Sequence, residues 1–123
     1  MDYNYFSSKN LTYLEENNII FGGLSITDYD ASCGTDVVIP KTINGNSVTT
    51  IGEDAFYGNQ LTSVTIPNSV RIIYGASFFS NNITEVTIPD AVEILSCDAF
   101  DGDTIINKRD SLVCNNSCQY KPC

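Results

Sequence analysis

Leu61-Thr62-Ser63-Val64-Thr65-Ile66-Pro67 returns 22 residues later as Ile83-Thr84-Glu85-Val86-Thr87-Ile88-Pro89, with five of the seven positions identical. A weaker copy, Asp36-Val37-Val38-Ile39-Pro40, keeps the apolar alternation and the proline. It then carries a five-residue insert, Lys41 to Gly45, ending in Asn44-Gly45, a strong signal for a tight turn. Downstream of each proline the copies stay parallel. Val48, Val70 and Val92 align, then Ile51, Ile73 and Leu95, then Phe56, Phe78 and Phe100, and Leu61, Ile83 and Ile105 open the next unit.

A repeat of roughly 20–29 residues with one short strand and an irregular return marks a leucine-rich-repeat solenoid. One such unit cannot bury its own apolar positions. Stacking lets Val64 with Val86, Ile66 with Ile88, and the three phenylalanines form ladders about 4.8 Å apart, with the strands paired in parallel. Proline suits the strand's end, where its missing N–H costs no ladder bond and its fixed φ turns the chain out of the sheet. Asn59, Asn81 and Asp103 recur at the opposite corner, where short polar side chains tolerate tight turns. The fold class expected is a β-rich solenoid with a parallel sheet, about three coils of 22 residues across 36–105. Residues 1–35 are expected to form an N-terminal cap and residues 106–123 a Cys-bearing C-terminal cap or tail.

The unit resembles the BspA-like (Treponema pallidum type) leucine-rich repeat, which runs approximately LTSVTIPxSVxxIGxxAFxGC. Residues 61–83 match it closely, residues 36–56 look like the way that family opens its first repeat, and the resemblance covers about residues 22–106. Two features depart from it. The Ile-Gly of the family is kept at Ile51-Gly52 but becomes Ile73-Tyr74 and Leu95-Ser96, and the cysteine that often ends a unit is missing. The resemblance implies a surface-exposed or secreted protein of bacteria and some protists that adheres to host proteins.

Composition narrows the classes independently. Of 123 residues, 42% are apolar and 17% charged, outside the range of disordered acidic tails. No apolar run approaches the length of a membrane-spanning helix, so membrane insertion is not expected. The first twenty residues include Asp2, Lys9, Glu15 and Glu16 and show no apolar core of a signal peptide. Fifteen acidic against six basic residues give a net charge of −9, which repels nucleic acid and anionic membrane surfaces alike. The absence of histidine removes the usual neutral-pH base, the usual zinc ligand and the Ser/His or Cys/His pair. Isoleucine and valine total 22 against six leucines and five alanines, a bias toward strands.

A solenoid leaves open strand edges and a bare core at both ends, which atypical segments or another molecule must cover. Ser7 or Ser8 can cap a short helix through about Asn17 that turns Leu11 and Leu14 inward, followed by a hairpin of Ile19-Ile20-Phe21 and Leu24-Ser25-Ile26 over Gly22-Gly23. Tyr3, Tyr5, Phe6 and Tyr13 suit either packing within that cap or an intermolecular contact. An uncovered edge also permits head-to-tail assembly, which does not close and grows into a fibre.

Cys114, Cys118 and Cys123 crowd the last ten residues, while Cys33 and Cys97 stand apart. A disulfide-stapled C-terminal cap is the reading preferred over free thiols, with connectivity left open. Cys114-x3-Cys118-x4-Cys123 supplies three thiolates, no histidine and no paired CxxC, a poor match to a structural zinc site. Asp98, Asp101 and Asp103 do not follow calcium-loop spacing. Sequons at Asn10, Asn82 and Asn115 would be used only in a eukaryotic secretory host. No catalytic motif, cofactor site or metal site is expected. Ser63, Thr65, Glu85 and Thr87 point outward on successive strands and form the candidate binding face. The expected function is a non-enzymatic surface or extracellular adhesin-like module that binds a protein partner, with a self-assembling filament subunit as the alternative.

Overall fold

The computed structural model describes residues 6–16 and 19–115. Among the described residues ten strands wind into a solenoid: β1 (Phe6–Glu16), β2 (Ile19–Tyr29), β3 (Asp36–Val38), β4 (Thr42–Ile43), β5 (Asn46–Ile51), β6 (Ser63–Thr65), β7 (Ile72–Ile73), β8 (Glu85–Thr87), β9 (Ile94–Leu95) and β10 (Ile105–Asn107). The two central coils have two strands each, β6 with β7 and β8 with β9: the first carries the Val-Thr-Ile-Pro pattern, the chain turns at the proline, and a second, shorter strand leads into the phenylalanine turn. In the coil before them β3 is followed by the short β4 and the longer β5.

The second strands form one continuous ladder, β2-β5-β7-β9. Ser25 pairs with Thr50 and Ile26 with Ile51; Ile72 and Ile73 then pair with Thr50 and Ile51, and Ile94 and Leu95 with Ile72 and Ile73, all in parallel. The return between sequence repeats is therefore not irregular. The same hydrogen bond recurs at its end, from the amides of Gly52, Tyr74 and Ser96 to Ile26, Ile51 and Ile73 oxygens. Glycine is required only at the first, where a Cβ on Gly52 would lie 2.7 Å from the Ile26 carbonyl oxygen.

The N-terminal cap differs from expectation. Residues 6–16 are strand β1, not a helix, and pair antiparallel with β2. Ile19-Ile20-Phe21 and Leu24-Ser25-Ile26 lie on the single strand β2 instead of forming a hairpin with each other. A strand here adds one antiparallel strand to the edge of the ladder, and that backbone pairing overrides the helix-like spacing of Leu11 and Leu14. The Asn44-Gly45 turn forms as read: both residues have positive φ, 51° and 81°, and they join β4 to β5.

The phenylalanines form the ladder their spacing predicts. Phe56 and Phe78 stack with centroids 4.9 Å apart at 11°, and Phe78 and Phe100 at 4.9 Å and 5°. That spacing equals the separation of paired strands, so one ring per coil stays in contact without strain. Tyr29 continues the stack 5.2 Å from Phe56, and buried Phe6 closes it against both rings. Phe6 is thus cap packing; all of Tyr3, Tyr5, Cys118 and Cys123 and the side chains of Tyr13 and Cys33 lie outside the described residues.

The polar corner is built around one side chain. Asn81 Oδ1 accepts from the Asn59 and Leu61 amides at 3.0 and 2.9 Å, and its Nδ2 donates to the Phe56 and Phe78 carbonyls at 2.9 Å each. In the next coil Asp101 takes over, accepting from the Ser80 and Asn81 amides. Asp103, the third residue of the column begun by Asn59 and Asn81, lies exposed in the turn at 102–103.

The winding continues beyond residue 105 as a degenerate coil. β10 pairs with β8, and the Arg109–Leu112 turn repeats the bond that closes Pro67–Val70 and Pro89–Val92. Arg109 replaces the proline and clamps the coil beneath it by donating to the Asp90 and Val92 carbonyls. Asn115 bridges to Ser96 at the end of the second ladder. Beside it Cys114 is bonded to Cys97, with Cα atoms 4.8 Å apart, and not to a neighbour in the tail. This staple joins the last coil to the one before it.

Candidate interaction surface

The four candidate binding residues occupy the ends of two neighbouring strands, Ser63 and Thr65 on β6, Glu85 and Thr87 on β8. Alternation buries Val64 and Val86 between them. Thr65, Glu85 and Thr87 are exposed and Ser63 is half-buried. The structure thus places all four on one outer face.

That face is not the uniform sheet expected from the repeat. β3 pairs with β6 and β8 pairs with β10, but among the described residues no ladder joins β6 to β8. The coils are in register at the corner just before the break, where the Asn82 amide donates to the Leu61 carbonyl at 2.8 Å. Ile39 and Ile88 each donate to a strand of the following coil, at 3.0 and 2.8 Å. The break opens a groove of about 420 Å³ with Thr65 on one bank, Glu85 and Thr87 on the other, Val64 and Val86 at its floor, and Asn68 and Pro89 at one end.

Side chains on each bank are tied to their own half of the sheet. The Ser63 hydroxyl donates to the Asp36 carboxylate, and Asn107 donates to Glu85 at 2.7 Å. The banks therefore present hydroxyls and a carboxylate around an apolar floor. This combination can hydrogen-bond and exclude water from an extended ligand, the usual chemistry of a small recognition site. Nothing in the 22-residue pattern announced the break, because β6 and β8 have nearly the same sequence.

Elsewhere the acidic residues do local work. Ser96 donates to Asp98 at 2.5 Å, and Asp101 serves the corner described above. Asp30 caps the short 3-10 turn Ala31–Cys33, and hydrogen bonds from Ser32, the side-chain one first, hold its carboxyl below the ordinary value. Among the described residues, no three His, Cys, Asp or Glu side chains are grouped to hold a metal, and no helix is long and apolar enough to cross a membrane.

A model of the BspA type leucine rich repeat region matches residues 29–117 in six copies. No curated protein matches the chain. Among solved structures, a leucine-rich-repeat protein of T. pallidum is similar at 17% identity and a TM-score of 0.50, covering 88% of this chain and 64% of its own. A leucine-rich-repeat protein of Bacteroides capillosus is 21% identical with a TM-score of 0.44, covering 80% of this chain and 99% of that one. The chain thus spans less than two thirds of the T. pallidum protein.

Proposed function

We propose, from the premise that this chain belongs to the BspA-type leucine-rich-repeat family, that it is a non-catalytic protein-interaction module displayed at a cell surface or outside the cell, with an adhesin-like role. Its binding face is the outer side of β6 and β8. The observation supporting this reading is the break between those strands, which turns a flat sheet into a groove lined by Thr65, Glu85 and Thr87. A flat sheet of small polar side chains offers little shape to a partner; a groove with an apolar floor offers a seat.

The test is biolayer interferometry of the intact chain against immobilised extracellular-matrix proteins. Wild type is compared with a variant carrying Ser63→Arg, Thr65→Arg, Glu85→Arg and Thr87→Arg. Loss of about tenfold or more in affinity supports the face, since a contact at the centre of an interface carries most of its energy. Binding that survives all four changes removes it.

A second reading, assembly end to end, draws on the C-terminal end of the solenoid. β10 pairs with β8 on one side only among the described strands, and Ile105 and Val113 nearby are 61% and 77% exposed. Open edges with apolar neighbours favour pairing between chains. Light scattering and negative-stain microscopy across a concentration series separate the two readings. A monomer that persists at high concentration eliminates the filament.

A further inference from the structure

A second concavity, of about 780 Å³, lies on the phenylalanine turns, away from the β6–β8 groove. It arises from two columns of the repeat. Asp54, Ala76 and Asp98 are 22 residues apart and occupy the same position in successive turns, so the small alanine leaves a notch between two carboxylates. In the adjacent column Tyr57 and Phe79 form an aromatic wall, and Glu53 adds a third carboxylate to the lining.

The two wall rings differ from the core stack. They are 53% and 38% exposed, and their centroids stand 6.2 Å apart at 13°, wider than the 4.9 Å of the buried phenylalanines. Both rings therefore present apolar surface to solvent along the lining of the concavity. Among the described residues no lysine or arginine lines the notch, and the ion pair between Arg71 and Glu93 lies outside it.

We propose that this notch takes a lysine or arginine side chain of a basic peptide on a partner protein. The aliphatic stem would lie on Tyr57 and Phe79 and the charged head among Glu53, Asp54 and Asp98. Each element is matched to that occupant. Aromatic rings attract cations and cover apolar stems, three carboxylates of one sign select positive charge, and the net charge of −9 steers a basic partner toward the surface. A neutral sugar would use the rings but would gain little from three carboxylates without a cation between them. The notch is a second contact surface, independent of the β6–β8 face, so its failure leaves the reading of that face untouched.

The test is an NMR titration of the intact 15N-labelled chain with N-acetyl-arginine amide. Glycinamide serves as a cation without a stem and methyl-N-acetylglucosaminide as a neutral ring-stacker. Shifts confined to residues 53–57, 76–79 and 98 with arginine amide, and absent with the other two probes, are expected. Tyr57→Ser should weaken binding about threefold, and Glu53→Gln with Asp54→Asn together about tenfold. Asn tolerates the positive φ of 60° at Asp54, so the paired variant keeps its fold. Asp103→Asn with Asp110→Asn, which removes the same charge elsewhere, should leave binding unchanged. The proposal is overturned if arginine amide moves nothing in the notch, if glycinamide moves it equally, if only the sugar does, or if both charge variants weaken binding alike.

Discussion

Replacing Asn81 by alanine should be among the most damaging single changes on the polar side of the coil. The side chain satisfies two backbone amides, of Asn59 and Leu61, and two backbone carbonyls, of Phe56 and Phe78. A typical intramolecular hydrogen bond contributes about 1 kcal/mol net, and a buried partner left bare costs about that much again or more. Asn81 is half-buried, so water recovers part of the loss. The sum is about 3 kcal/mol, which for a domain of this size lowers Tm by about 12 °C. Urea unfolding followed by tyrosine fluorescence, with a thermal scan beside it, measures both. Asn59→Ala and Asp103→Ala are the controls: Asn59 enters the network through its backbone amide, and Asp103 is exposed, so each should change stability by less than about 0.5 kcal/mol. Equal effects at all three positions would refute the reasoning, because they would return the corner to simple turn propensity.

Phe78→Ala removes the central ring of the aromatic stack and should destabilise by about 3–5 kcal/mol, read from denaturant midpoints. Leaving stability within about 1 kcal/mol would mean the rings are not packed as described. Cys97→Ser with Cys114→Ser opens a loop of 17 residues and should lose about 3 kcal/mol in the chain-entropy picture, with amide exchange rising first at 105–115. The Asp30 carboxyl should titrate below 3.8 in an NMR pH series, as the Ser32 hydrogen bonds favour its charged form. A depressed folded value means that its contribution is present above the unfolded pKa and is lost as pH falls through the folded one. Ser32→Ala should return the titration toward 3.8.

Much of the architecture could be read from one repeat. The spacing of Phe56, Phe78 and Phe100 announced a stack, and Asn44-Gly45 announced a turn, because in both cases a local pattern and a physical requirement coincide. The second ladder was hidden because Ile72-Ile73 and Ile94-Leu95 are too short to show alternation and are buried on both residues. Strand β1 was hidden for a different reason: its pairing with β2 decides its state, and Leu11 and Leu14 alone are spaced as well for a helix. Asp101 was missed because alignment by period pointed to Asp103, whereas the hydrogen bonds follow the path of the backbone. Cys114 could not be paired from sequence, since its partner Cys97 is brought near only by the return of the last coil. The candidate site was legible as four outward side chains, but the groove between them was not, because it depends on a ladder that does not form.

Amide hydrogen exchange of the chain, free and bound to a matrix protein retained in the interferometry screen, tests the central claim most directly. The account requires slowed exchange at 63–68 and 85–89 on binding, where the groove lies, with the β2-β5-β7-β9 ladder unchanged. Protection on binding that leaves both of those segments untouched would contradict it.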